Sequence, residues 1–261
     1  MSWCHETVLI PVENHHLHTV DLGQGTPILM HGGWVASWEL WLPMIERMQS
    51  RWRCIALDHR GAGATTLPPS TISADALVDD VFRVLDAHDV DRCVIAGESL
   101  GSLACVQAAL REPSRFAGMV LIGSMVRAPA LTPEAEEEMT SDWSDYVDRF
   151  VAACLPEPDA EPLRRLGRNT LVTAGPAAAA QMTRAHVGVS PDFAAVTTPT
   201  LVVHGTLDLI APPEGARQIA ATIPGASLVE LEGAGHVPLL TRPREVVDAL
   251  SSWWSRVSSG A

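Results

Sequence analysis

The sequence of 261 residues contains no lysine; all 18 of its cationic side chains are arginine. No side chain can therefore form a Schiff base with a carbonyl substrate or with pyridoxal phosphate. A P-loop is missing the Lys that reaches the β/γ-phosphates, and Ser-x-x-Lys acylation chemistry is missing its base. Arginine does not substitute, because its guanidinium stays protonated and is a poor nucleophile. Long apolar runs are also absent: none approaches the ~20 residues of a membrane helix. The start, Met-Ser-Trp-Cys-His-Glu, has no basic stretch leading into an apolar core, so it does not read as a signal peptide. Cysteine is sparse and irregular. Cys4, Cys54, Cys93, Cys105 and Cys154 are odd in number and follow neither a disulfide framework nor a zinc pattern. Cys54 and Cys93 lie in apolar runs, where thiols behave as small hydrophobes. Cations are outnumbered by 31 acidic residues, giving a formal net charge of −13. That balance argues against nucleic acid as a partner, since a basic face is needed to displace counterions. Cytoplasmic location is the expectation, with neither membrane nor nucleic acid engaged; self-association into a homodimer stays open.

The composition that is present, 47% hydrophobic and 19% charged, is that of a protein with a large buried core. Its length suits one α/β domain carrying a smaller insertion. Residues 7–20 read as a hairpin with apolar parts at Val8–Ile10 and Leu17–Val20. Short apolar runs follow at Pro27–Met30, Cys54–Leu57, Cys93–Ala96, Met119–Ile122, Thr200–His204 and Leu228–Leu231. Between them lie patterns with apolar residues at steps of three and four. One runs from Trp38 to Met48 with Ser37 as its expected N-cap, and others include Leu77–Leu85, Leu103–Leu110, Glu214–Thr222 and Arg244–Trp254. Regular strand–helix alternation predicts a mostly parallel sheet with helices on both faces.

One stretch breaks the alternation. Residues 126–197 lack a convincing buried strand and instead carry Pro-rich joints, the acidic cluster Glu134, Glu136, Glu137 and Glu138, and helical spacing at Trp143, Tyr146 and Phe150. That is too long for an ordinary loop. The expected organisation is a core of residues 1–125 and 198–261 with a helical lid at 126–197. A second packed helical layer is the plainer alternative.

Gly97-Glu98-Ser99-Leu100-Gly101 fits Gly-x-Ser-x-Gly. In a chain of this length the pattern arises by chance about once in ten, so its context matters more than its letters. It follows a short apolar strand and opens a helix, which is the setting the motif requires. Small residues at 97 and 101 relieve the crowding of a sharp turn and leave the Ser99 hydroxyl exposed at the sheet edge. A serine hydroxyl needs a base. Among ten histidines, His236 is best placed, in the Gly-rich loop Gly233–Pro238 after the last strand. His15, His16 and His18 read as surface residues of the hairpin, and His31 and His59 as residues bonding within their own turns. His204 and His186 read as satisfied or substrate-adjacent. Asp208, just beyond the Leu201–Val203 run, is the acid that fixes the imidazole tautomer; Asp58 is its rival and more simply shapes its own turn. The Leu100 amide is one oxyanion donor. The second comes from His31-Gly32-Gly33-Trp34, with Gly33 N–H preferred over Trp34 N–H. Metal ligands are not expected.

These residues resemble the α/β-hydrolase superfamily across essentially the whole chain. The resemblance rests on His31-Gly32-Gly33, Asp58-His59-Arg60-Gly61-Ala62-Gly63, Gly97–Gly101, Asp208 and Gly235-His236, with Ser99, Asp208 and His236 in that superfamily's order. It is similar in particular to small lidded serine esterases, enol-lactonases and C–C bond hydrolases. The resemblance implies an eight-stranded sheet, a helical lid after the sixth strand, and a cofactor-free acyl-enzyme mechanism. The implied substrate is a small-molecule ester or lactone, and the apolar side chains Met139, Trp143, Tyr146, Phe150, Met182 and Phe193 of the expected lid predict a hydrophobic one over a charged one. Ser99 argues against haloalkane dehalogenases and epoxide hydrolases, which use an aspartate nucleophile. Hydroxynitrile lyase and cofactor-free oxygenase chemistry, C–C bond hydrolysis and a ligand-receptor role remain as alternatives. Trp34, Trp143, Tyr146, Met182 and His186 are the candidate substrate-binding residues. Glu98 departs from the histidine or aromatic residue common in its motif slot, and its role stays open.

Overall fold

The computed structural model describes residues 6–128 and 130–259, which leaves Cys4 outside the described residues. The chain opens with the hairpin β1 (Glu6–Val12) and β2 (His15–Gly23), followed by β3 (Thr26–His31) and α1 (Leu42–Met48). Next come β4 (Trp52–Asp58), α2 (Ala74–Ala87), β5 (Cys93–Glu98), α3 (Leu100–Arg111) and β6 (Phe116–Ile122). Three helices then intervene: α4 (Pro133–Ser141), α5 (Trp143–Cys154) and α6 (Glu161–His186). The chain returns through β7 (Thr200–Gly205), α7 (Pro213–Thr222) and β8 (Ser227–Leu231), and ends with α8 (Pro238–Thr241) and α9 (Pro243–Ser259).

All eight strands join one sheet in the order β1-β2-β4-β3-β5-β6-β7-β8. β2 runs antiparallel to both neighbours and the other pairs are parallel, so the expected mostly parallel eight-stranded α/β-hydrolase sheet is observed. β5 and β7 are buried along their whole length, as strands covered on both faces must be. α1 packs against α9, and α2 against α3. α2 shows why the pattern worked: Leu77, Val78, Val81, Val84 and Leu85 all face the core, and Ser73 caps its first turn by accepting the Ala76 N–H.

The topology also selects the place for chemistry. From β3 the chain leaves toward β4 on one side, and from β5 toward β6 on the other. Loops that diverge in this way open a crevice beyond the carboxyl ends of β3 and β5.

One local reading differs from what the sequence suggests. The segment after Ser37 begins as a 3-10 turn over Trp38–Trp41, and the Ser37 hydroxyl donates to Glu39 instead of capping a helix. Pro43 is the reason: it has no N–H to give the Glu39 carbonyl, and its ring excludes that oxygen, so Leu42 N–H takes it in a tighter turn. α6 is broken in its middle, where Gly175 takes φ 79° ahead of Pro176. Its second half rests on the core, where Gln181 Nε2 donates to the Ile72 carbonyl at 3.1 Å.

Candidate active site

Ser99 sits between the last residue of β5 and the first of α3 with φ 51° and ψ −122°. A non-glycine residue at positive φ is a strained arrangement that its surroundings must hold. They do so by close packing. A Cβ on Gly97 would lie 2.6 Å from Ser102 Cα, and one on Gly101 would lie 2.4 Å from the Gly32 carbonyl oxygen. Both contacts are with backbone, which has no room to retreat. We expect Gly101→Ala to destabilise the fold by about 1–3 kcal/mol, read as a lower denaturant midpoint. An unchanged midpoint would show that the turn after β3 can shift away.

The relay of side chains is short and buried. Ser99 Oγ donates to His236 Nε2 at 2.9 Å, and His236 Nδ1 donates to Asp208 Oδ2 at 2.8 Å. Asp208 Oδ1 accepts the N–H groups of Ile210 and Ala211, each at 2.8 Å. His204 Nε2 lies 3.0 Å from Asp208 Oδ2 and 2.7 Å from the Ala211 carbonyl. Burial alone would raise the Asp208 carboxyl, but the hydrogen bonds from His204 and His236 outweigh it and hold it well below the usual carboxylate range. Burial would likewise lower His236; the hydrogen bond and charge of Asp208, with a further contribution from Glu98, raise it above its ordinary 6.5.

The His236 loop is fastened from the inserted helices. Cys154 at the end of α5 accepts the His236 N–H at 2.9 Å, and Glu157 Oε1 accepts the Gly235 N–H at 2.8 Å. Sequence reading missed Glu157, since nothing in a Pro-rich joint signals a partner 78 residues away.

The turn after β3 faces Ser99 from the other side of the crevice. A Cβ on Gly33 would lie 2.8 Å from Ser99 Cβ, so only glycine lets this turn approach so closely. Gly33 N–H donates to Glu98 Oε2 at 2.9 Å. His31 stacks on His59 with ring centroids 5.1 Å apart, and the His59 ring reaches the Gly33 and Arg60 carbonyls at 3.1 and 2.9 Å. Burial pushes His31 down to about 3, so it stays neutral beneath the turn. Asp58 ties its own loop together, accepting from Trp38 N–H and Ala64 N–H at 2.8 Å each. His18 departs from its surface reading: its Nδ1 lies 2.8 Å from Asp58 Oδ2.

A cleft of about 680 Å³, partly open to solvent, adjoins Ser99 and His236. Its walls include Trp34, Leu40, Phe150, Leu155, Leu171 and Leu240. Of the five candidate substrate-binding residues Trp34 lies on it, and Trp143, Tyr146, Met182 and His186 do not line it. Trp143 and Tyr146 pack behind Trp34 at centroid distances of 5.7 and 6.0 Å, while Phe150, farther along α5, meets it at 4.6 Å and reaches the cleft. Met182 and His186 are buried in α6, where His186 Nδ1 donates to the Met182 carbonyl at 2.9 Å. The Trp34 indole joins both sets by donating to the Ala179 carbonyl and to Thr183 Oγ1, each at 3.1 Å. Cys154 also lines the cleft, but burial holds its thiol well above its ordinary range, which disarms it as a nucleophile. Among the described residues no group of three or more His, Cys, Asp or Glu side chains could hold a metal ion, and no helix is long and apolar enough to cross a membrane.

Known proteins share this architecture. A pimeloyl-[acyl-carrier protein] methyl ester esterase from Aliivibrio salmonicida is 25% identical over 244 residues, spanning 87% of this chain and 92% of its own length. The crystal structure of a hydrolase from Pseudomonas aeruginosa superposes with a TM-score of 0.85 at 25% identity, covering 95% of this chain and 98% of that one. An enol-lactonase from Burkholderia xenovorans reaches a TM-score of 0.88 at 22% identity, covering 95% of this chain and all of that one, a likeness of fold. The model of the alpha/beta hydrolase fold family matches residues 26–162 and 161–243. Matched over most of its length and built on that family's sheet, the chain belongs to the alpha/beta hydrolase fold family.

Proposed function

We propose that this chain is a serine hydrolase that cleaves a carboxylic ester or lactone through an acyl-enzyme on Ser99. The observation that carries the reading is the relay from Ser99 Oγ through His236 to Asp208, at 2.9 and 2.8 Å, beside a largely apolar cleft. Ser99 Oγ attacks the substrate carbonyl as its proton passes to His236 Nε2. The proton then goes to the leaving alkoxide, and a water activated by the same imidazole releases the acid. Leu100 N–H, at the start of α3, and Gly33 N–H are the donors for the oxyanion. The relatives named as esterases support ester chemistry. The aromatic and aliphatic walls favour a hydrophobic acyl group over a charged one.

A serine-directed phosphonate followed by mass spectrometry tests the nucleophile, and esters and lactones of graded acyl length test the cleft. Labelling of Ser99 with turnover of neutral hydrophobic substrates is the expected result. Charged lactones outperforming them would reject the substrate class. On the acid side activity should rise with pH as His236 loses its proton, with an apparent pKa above the ordinary 6.5. A limb centred below that value would mean that Asp208 does not support the imidazolium.

Glu98 on the Gly33 N–H favours a second reading, in which His236 acts directly on a substrate proton without an acyl-enzyme. Trapping an acyl-Ser99 adduct during turnover excludes it.

A further inference from the structure

Glu98 has no part in the relay, yet it stands inside the reaction centre. It is the last residue of β5, only 4% exposed, and it lines the cleft beside Ser99. Its Oε2 accepts the Gly33 N–H at 2.9 Å, and its Oε1 lies 3.7 Å from His236 Nε2. The second distance is too long for a hydrogen bond and short enough for strong charge coupling in a buried site. Glu98 also occupies the room at Gly33, where an added Cβ would lie 2.5 Å from its Oε2.

Two demands therefore fall on one N–H. In acyl transfer the Gly33 amide must turn its hydrogen to the oxyanion, but an ionised Glu98 is a stronger acceptor than a neutral carbonyl and holds it. An ionised carboxyl there also sets a second negative charge against the one that develops on the substrate, which raises the barrier. A protonated carboxyl is a weaker acceptor and carries no charge.

We propose that Glu98 gates the oxyanion hole: its carboxylate form holds the Gly33 donor and suppresses hydrolysis, and its neutral acid form releases that donor. The inference rests on the acyl-enzyme reading above. The reactive state has Glu98 neutral and His236 neutral, one proton held by the pair. The same proton count can also be written as carboxylate and imidazolium, which is unreactive.

The groups facing Glu98 fit a switch near neutrality. Burial is the largest influence and pushes its carboxyl up to about 7. His236, from the loop after β8, pulls it down, as does the Gly33 hydrogen bond, while Asp208, from the loop after β7, pushes it up. Cys154, from the end of α5, also feels Glu98 but stays a neutral thiol. The sign follows. Raising pH first removes the second proton of the pair and switches activity on, then removes the last one and switches it off, giving a bell.

The test is the pH profile of kcat/KM for a neutral phenyl ester, in wild type and Glu98→Gln, from about pH 5 to 9. Wild type is expected to fall about tenfold per pH unit on the alkaline side. Glu98→Gln keeps a neutral acceptor for Gly33 N–H, so its profile should rise and stay flat, exceeding wild type about tenfold or more at the alkaline end. Its rising limb should stay in place or move to higher pH, since the doubly protonated wild-type pair can lose its proton from either member and Glu98→Gln leaves only His236 to lose one. An alkaline limb retained in Glu98→Gln, or absent in wild type, overturns the gate.

Should that variant fail to fold, wild type alone decides. Inhibition by a trifluoromethyl ketone, whose serine adduct carries an oxyanion, should weaken along the same alkaline limb, while binding of a neutral amide analogue does not change. Equal pH dependence of the two ligands overturns the gate. Phosphonate labelling of Ser99 keeps the two levels apart: labelling without the alkaline limb removes the gate alone. Absence of both labelling and ester turnover removes the acyl-enzyme reading, and the gate with it.

Discussion

Ser99→Ala should lower kcat for any ester substrate by about 10⁶-fold, the scale observed when the nucleophile of a serine triad is removed. Nothing near the substituted position can take over. The Ser102 hydroxyl is buried and donates to the Gly97 carbonyl at 2.9 Å, so it is committed to holding the turn. Cys154 lines the same cleft, but its thiol is kept protonated by burial. The fold should survive. Alanine at φ 51° carries the same backbone strain as serine, and the side chain removed makes one described hydrogen bond, to His236. Stability should therefore stay within about 0.5 kcal/mol. The informative measurement pairs kcat with affinity for an unreactive substrate analogue. Lost turnover with retained affinity supports Ser99 as the nucleophile. A variant keeping more than about a tenth of wild-type kcat would mean that bond cleavage does not pass through Ser99.

What the sequence disclosed and what it hid divide along a physical line. The sheet was legible because each buried strand is a short apolar run and each covering helix carries its own apolar stripe, as α2 does. The elbow was legible because its steric demand falls on neighbours in sequence, Gly97 and Gly101 around Ser99. The proximity of Asp208 and His236 followed from placing each at the carboxyl end of a strand in one parallel sheet, β7 and β8, which pair directly. The remainder depends on contacts that no local pattern encodes. Gly33 and Glu98 are 65 residues apart, so an acid in the motif could be noticed but its partner could not. Trp143, Tyr146 and Phe150 share one helix face, and spacing cannot say that Trp34 would cover the first two and leave the third at the cleft. His18 was misread for a related reason: alternation in a hairpin says which face a residue takes, but not that Asp58 waits on that face.

Asp208→Asn should reduce kcat/KM by about 10⁴-fold while leaving the geometry of the site nearly unchanged. The two carboxylate oxygens have different partners, and this fixes how an amide would sit. Oδ1 accepts two backbone N–H groups, from Ile210 and Ala211, so that position must remain an oxygen. Turning the amide over would set its NH₂ against both donors, at a cost of about 1–3 kcal/mol for each buried group left unpaired. The NH₂ therefore takes the place of Oδ2, facing His236 Nδ1 and His204 Nε2. His236 can meet a donor only by accepting at Nδ1, which moves its proton to Nε2. There the proton points at Ser99 Oγ, and the imidazole can no longer take the serine proton. His204 cannot adapt as well, because its Nε2 already faces the Ala211 carbonyl at 2.7 Å and needs its proton. One N–H of the introduced amide, set against the His204 donor, thus has no acceptor, and stability should fall by about 1–3 kcal/mol. Activity and stability respond to two different imidazoles, and the two readouts can be separated. Phosphonate labelling of Ser99 should slow in parallel with kcat/KM, because both need the base, whereas the unfolding midpoint reports on His204. If labelling kept its wild-type rate while the midpoint fell, Asp208 would be a residue that shapes its loop, and the acid of the relay would have to be sought elsewhere.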